Sequence, residues 1–336
     1  MRKIFTLLAA VTVAATIYAR EGALKGLFSI NADGDQVCFS QGNLQYRATT
    51  GTWRFAENQT DFIGKNNTKA SATYDGWIDL MPYGSSGFDS NRMPYSEVHF
   101  LQRNIAETDY DWGQYCAISN GGNTPGLWRT LTEPEFEYII SKRPNADLSR
   151  SLASVNGVEG MILLPDHWQL PQGLTFIPLA QDYTTNTYSA QQWGPMEEAG
   201  AVFLPAAGKR LLRSTYDEMG WVVGAEYKYA GGYGNYWTSS VAGIYDDDGH
   251  GHGFGEYYLA PQAFTFNATE YSYKGYCHSV YSDLDWISDM PLDVFDSDEF
   301  TAVRLVRKAD DTDGIENVQG DNVQSTKFFR DGMLII

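Results

Sequence analysis

Asn120-Gly-Gly-Asn-Thr-Pro-Gly-Leu-Trp-Arg-Thr-Leu-Thr-Glu-Pro-Glu-Phe-Glu-Tyr138 is the best-specified stretch of the chain. Its first part, rich in Gly, Asn and Pro, reads as a loop that stops at Trp128. Thr132 and Glu135, three residues apart, form a capping box in which each side chain takes one of the orphan amide protons at a helix start. The helix then runs toward Lys142, with Phe136, Ile139 and Ile140 as a single apolar stripe. Lys142 and Arg143 suit the negative end of its dipole, and Pro144 forbids continuation.

Working outward, the N-terminal side predicts a hairpin. Gly26 to Ser29 and Gln36 to Tyr46 flank the Asn-Ala-Asp-Gly-Asp turn at 31–35, and Trp53 to Phe55 continue as strand. Residues 56–126 become loop-like, with scattered aromatics such as Trp77, Tyr83, Phe88 and Trp112, each costly to leave in water. On the C-terminal side, Val155 to Val158 is a turn and Gly160 to Pro165 a buried strand. A second helix fits Ala190 to Ala199, with Gly200 as its left-handed cap and Ala201 to Leu204 as the next strand. The likeness of Ile162-Leu163-Leu164-Pro165 to Val202-Phe203-Leu204-Pro205 reads as recurring strand chemistry rather than a repeat. From Trp221 the chain is strand and loop: Val222-Val223, Tyr236 to Ser240, Tyr257 to Phe266 and Ala302 to Val306.

Three segments together carry a resemblance. Trp128 to Tyr138 is similar to the W-R-L-P-T-E-A-E-W-E-Y signature of the formylglycine-generating (sulfatase-modifying) enzyme superfamily. Gly234-Asn235-Tyr236-Trp237-Thr238-Ser239-Ser240 resembles its G-x-Y-W-S-S-S strand, and Phe300 to Arg307 its closing G-F-S-V-R-L-V-R strand, all in the family's order. The nearest likeness is to the secreted, non-catalytic branch of the Fibrobacter succinogenes major paralogous domain type, over residues 25–308. It implies an α+β, C-type-lectin-like fold with two main helices, short and mostly antiparallel strands and long ordered loops. It also implies that Trp128 and Trp237 point inward.

The chain has 336 residues, enough for one large domain or two ordinary ones. Residues 1–19, with Arg2 and Lys3 ahead of the apolar run Ile4 to Ile17, read as a signal peptide. That run is short for a membrane span of about 20 residues, so no transmembrane span is expected once the signal is removed. The expected location is therefore outside the cell or on its outer surface. The formal charge is −18, and loss of Arg2 and Lys3 takes it to −20. That balance repels nucleic acid and suits a soluble extracellular protein or one whose carboxylates are partly offset by divalent cations. Residues 309–325 read as an acidic linker. Residues 326–336 start an apolar hairpin and resemble the tail of a type IX sorting domain, cut short.

For chemistry, Cys38, Cys116 and Cys277 form at most one internal disulfide, or serve as three small buried hydrophobes. Catalysis of the family's kind would need Cys277 to meet Cys38 or Cys116 across a groove, while the family's R-G-G-S-W and C-R segments are missing. Ser239 and Ser240 lie in no nucleophile elbow. Asp246, Asp248, His250 and His252 mix carboxylates with imidazoles among glycines, ligand types that suit calcium and transition metals respectively. Calcium is the candidate ion, against the alternative of a solvated loop tip. Tyr233, Tyr276, Tyr281, Asp283, Asp285 and Trp286 form the candidate ligand face, since a Trp among carboxylates is a serviceable sugar platform. In lectin-like folds the late loops share one edge, so the excursions 243–255 and 271–299 are expected side by side. The reading is an exported, non-catalytic binding or adhesion module whose partner is an extracellular glycan or protein. Its rivals are a cysteine-oxidising enzyme and a purely structural surface component.

Overall fold

The computed structural model describes residues 21–98, 101–217, 220–246, 256–268, 276–279, 299–309, 328–330 and 333–335. Residues 1–20, with the expected signal peptide, and 310–327, with most of the expected linker, lie outside them. Within them the chain is α+β, dominated by short strands with few short helices. All strand pairs are antiparallel except Arg150–Val155 with Thr187–Tyr188. Among the described residues no helix is long and apolar enough to cross a membrane.

The helix start reads as the sequence predicts, with one addition. Thr132 accepts from the Glu135 amide at 3.4 Å and Glu135 accepts from the Thr132 amide at 2.8 Å. Arg129 then lays both terminal nitrogens on the two Glu135 oxygens at 2.7 Å. This fork joins the end of the Arg129–Thr130 strand to the first helical turn. The α-helix itself is short, Glu133–Glu137, and widens into a π-turn over Tyr138–Lys142. Arg143 departs from its expected place on the dipole. It turns inward, is 3% exposed, and donates to the Ile139 and Leu164 carbonyls at 2.7 Å and to Asp166 at 2.9 Å. Asp166 also accepts from Ser29 and Gln36. Burial works against its ionised form, but the bonds from Gln36, Ser29 and Arg143 together hold the carboxyl below its ordinary value.

The closing segment passes between sheets rather than forming one strand over 302–306. Thr301 bridges Met81, Ala302 bridges Tyr236, and regular pairing resumes at Leu305–Lys308, which lies between Gln36–Phe39 and Arg129–Thr130. The two similar segments noted in the sequence lie against one another, with Val202 opposite Leu163 and Phe203 opposite Ile162. The second helix, Ala190–Glu198, carries its own capping box from Ser189 and Gln192, and Gly200 follows at φ 96°. The tail hairpin pairs Phe328–Arg330 with Met333–Ile335.

Three apolar clusters form the core. Phe136, Ile139 and Ile140 pack with Phe28, Phe39, Phe264 and Phe266. Trp112, Trp128, Trp237, Trp53 and Phe55 build the second, and Trp193, Met196 and Phe203 the third. Trp128 donates to the Gly121 carbonyl at 2.7 Å and Trp237 to the Met81 carbonyl at 2.8 Å, so both inward indoles are satisfied. A side chain at Gly113 would stand 2.2 Å from the Trp128 backbone, so only glycine lets the two segments approach.

Candidate functional site

The loop region 56–126 is held by buried polar groups. Asn67 accepts from the Asp79 and Leu80 amides and donates to Asp79, which also accepts from the Ile63 amide at 2.9 Å. Asp111 accepts from the Thr130 amide and hydroxyl and from the Gly113 amide, stitching the loop to the start of the helical motif. Burial pushes both carboxyls up to about 6, against the lowering effect of these bonds. Ser86 donates to the Asp109 carbonyl, and Cys116 donates to the Ser86 carbonyl at 3.1 Å. Burial pushes the Cys116 thiol well above its ordinary range, which suits a packed group rather than a nucleophile.

These anchors bring three aromatic rings together, two of them exposed and one half-buried. Phe88 is 48% exposed and lies edge-on to Tyr110 at 5.3 Å and to Tyr115 at 5.6 Å; Tyr115 is 43% exposed. Arg103 covers Tyr110 at 5.4 Å. Tyr110 packs against the core cluster that holds Trp112 and Cys116, which ties the group of rings to the core. Large exposed rings with a cation at their rim are the usual composition of a recognition surface, since they bury much area at low entropic cost.

Only part of the sequence-predicted site falls within the described residues. Gly243 to Asp246 belong to the Tyr233–Asp246 strand, with Asp246 opposite Glu256, and Tyr276 lies in the Tyr276–Ser279 strand opposite Thr265. The loop reading of these residues gives way to strand pairing. Tyr233 and Asp246 therefore stand at opposite ends of a 14-residue strand, roughly 40 Å of strand path apart. Most of the two excursions, residues 247–255, 269–275 and 280–298, lies outside the described residues, and with it the expected side-by-side placement. Tyr233 is half-buried against Tyr229 at 5.2 Å. Asp248, His250, His252, Tyr281, Asp283, Asp285 and Trp286 lie outside the described residues. Among the described residues no group of three or more His, Cys, Asp or Glu side chains could hold a metal ion.

Two cavities open elsewhere. One of about 500 Å³ is lined by His167, Leu170, Pro171, Pro195 and Glu198 beside the end of the second helix. The other, about 340 Å³, is lined by Gln45, Arg54, Glu57, Thr60, Asp61, Phe62 and Ile63. Comparison with protein-family models, with curated proteins and with solved structures found no match.

Proposed function

We propose that the chain is an exported, non-catalytic binding or adhesion module, working at or outside the cell surface, on a C-type-lectin-like scaffold of the formylglycine-generating superfamily type. The observation that carries it is the Phe88, Tyr110 and Tyr115 face: Phe88 and Tyr115 are exposed, and Phe88 packs edge-on to both Tyr115 and the half-buried Tyr110, which rests on the core. Most of the binding energy of such surfaces comes from a few aromatic or Arg anchors of this kind. The buried Trp128 and Trp237 and the capping box at Thr132 support the family resemblance. The partner is an extracellular glycan or protein. Calcium at Asp246, Asp248, His250 and His252, and a second contact through Trp286, belong to the same reading.

A glycan and protein array probed with the signal-free chain, with and without a chelator, tests it. Capture of a defined ligand class is the expected outcome, and loss of capture in chelator that Asp248→Ala reproduces would assign the ion. No capture, together with oxygen-dependent oxidation of a cysteine in a sulfatase-type peptide, would replace the reading with the enzyme.

A further inference from the structure

We propose that the polar face of the three-stranded sheet Thr52–Phe55, Leu44–Arg47 and Trp77–Ile78 is a separate binding site for a neutral sugar residue, taken into the cavity beside the turn at 57–63. Alternation along the hairpin creates that face. Leu44, Tyr46, Trp53, Phe55 and Ile78 all join the second core cluster, so Gln45 and Arg54, opposite one another in register, face the other way.

Arg54 is braced on several sides. Its Nε donates to the Gln45 carbonyl oxygen at 2.9 Å, its guanidinium lies 4.0 Å over the Trp77 ring, and Nη1 is 3.6 Å from Glu57. Gln45 is 2% exposed and lines the cavity, yet its amide nitrogen donates to no group among the described residues. That nitrogen opens onto the cavity, so both of its protons are available to a ligand or to water.

The turn that bears the other lining residues is anchored through Gln59, the neighbour of Thr60 in sequence. Gln59 is 1% exposed and is pinned to the Phe203 amide, the Ala201 carbonyl, Glu197 and Arg304. One Asp61 oxygen accepts from the Asn58 amide and side chain, and the Ile63 amide donates to Asp79. The second Asp61 oxygen has no such bond. A wall fixed in advance loses little entropy when a ligand arrives.

The lining selects the ligand. Gln45 and Arg54 donate, Glu57 and Asp61 accept, Thr60 does both, and Phe62 and Ile63 are apolar. Two carboxylates against one guanidinium disfavour a phosphate or carboxylate, and the braced Arg54 disfavours a lysine or arginine side chain. A polyol with both donors and acceptors and a C–H face matches all of it. The volume of about 340 Å³ is at the low end of the roughly 300–1,000 Å³ of small-molecule sites, suited to one sugar ring.

Saturation-transfer NMR on the signal-free chain tests this, with methyl glycosides of glucose, galactose, mannose, xylose and N-acetylglucosamine as probes and N-acetyl-arginine amide as the basic alternative. At least one glycoside should show transfer, and Arg54→Leu should weaken its association about tenfold or more, as loss of a charge-assisted hydrogen bond does. Glu57→Gln, an exposed change that leaves the fold intact, should weaken it severalfold and decides the matter if Arg54→Leu lowers the melting temperature. Phe88→Ala should leave transfer unchanged, which keeps this site apart from the aromatic face. Transfer to no glycoside, transfer to the arginine amide alone, or glycoside transfer undiminished in Glu57→Gln would each overturn the proposal.

Discussion

The loop region 56–126 and the regular region 129–205 are both well ordered, but by different means. In the regular region, two capping boxes start helices whose buried faces, Phe136 with Ile139 and Trp193 with Met196, are held by apolar packing. In the loop region, much of the order comes from buried polar side chains: Asn67 with Asp79, Asp111 with Thr130, and Ser86 with Asp109. Each carboxylate there replaces a stretch of missing backbone ladder by satisfying several amides at once. The consequence is that the two regions should respond to different insults, the first to lost volume and the second to deprotonation of its buried carboxyls.

The largest effect expected is in the apolar half. Phe136→Ala empties a site that is fully buried and stacked on Phe264 at 4.9 Å, and should cost about 3–5 kcal/mol in chemical denaturation with no change in pH dependence. A loss below about 1 kcal/mol would mean that the helix face is not held by packing.

The next effect sharpens the polar half. Asp79 and Asp111 titrate near 6 when folded because burial disfavours their charge, and near 4 when unfolded. Between those values the folded chain holds protons that the unfolded chain releases. Their contribution is therefore fully present below about pH 4 and is lost as the pH rises through 6, by roughly 2–3 kcal/mol at each site. Asp166 acts in the opposite sense, its contribution being lost as the pH falls below about 4. Denaturation curves between pH 4.5 and 7.5 should show the decline, and Asp111→Asn should remove its share; a flat profile would break the contrast. The smallest effect is Thr132→Ala, which removes one side of the capping box and should cost about 1 kcal/mol. An unchanged melting temperature would count against that helix start.

Local chemistry was legible in the sequence, and long-range partnership was not. The capping box, the 31–35 turn and the Gly200 cap are each specified by residues a few places apart, and each stands as read; the inward Trp128 and Trp237 followed from the family resemblance. Arg143 looked like a dipole partner because its acceptor, Asp166, arrives in a later segment. The similar segments around Leu163 and Leu204 gave no sign that they pair, since β-strand chemistry names a face and not a neighbour. Gly243 to Asp246 read as loop because glycine and aspartate are poor strand formers, but pairing with Glu256 to Leu259 overrides that propensity. For the site, Phe88 was visible only as one scattered aromatic. Its neighbours Tyr110 and Tyr115 come from a distant part of the same loop region, brought close by the Ser86 to Asp109 and Cys116 to Ser86 bonds. The Gln45 and Arg54 pair could be found from hairpin register, but the turn at 57–63 that completes its cavity is joined through Gln59 to residues from 197 to 304, which no local pattern shows.

The central claim is that the polar-anchored loops exist to hold an aromatic recognition face. It is tested most directly by measuring ligand capture with the double variant Phe88→Ala and Tyr115→Ala beside the parent chain, together with their melting temperatures. Both residues are a little under half exposed and lie at the surface, so the melting temperature should stay within a few degrees of the parent, surface changes being worth about 0.5 kcal/mol or less. Capture of the ligand found on the array should fall by at least about tenfold, since loss of an anchor side chain costs more than 1 kcal/mol. Capture equal to the parent's, in a variant that is equally stable, would contradict it.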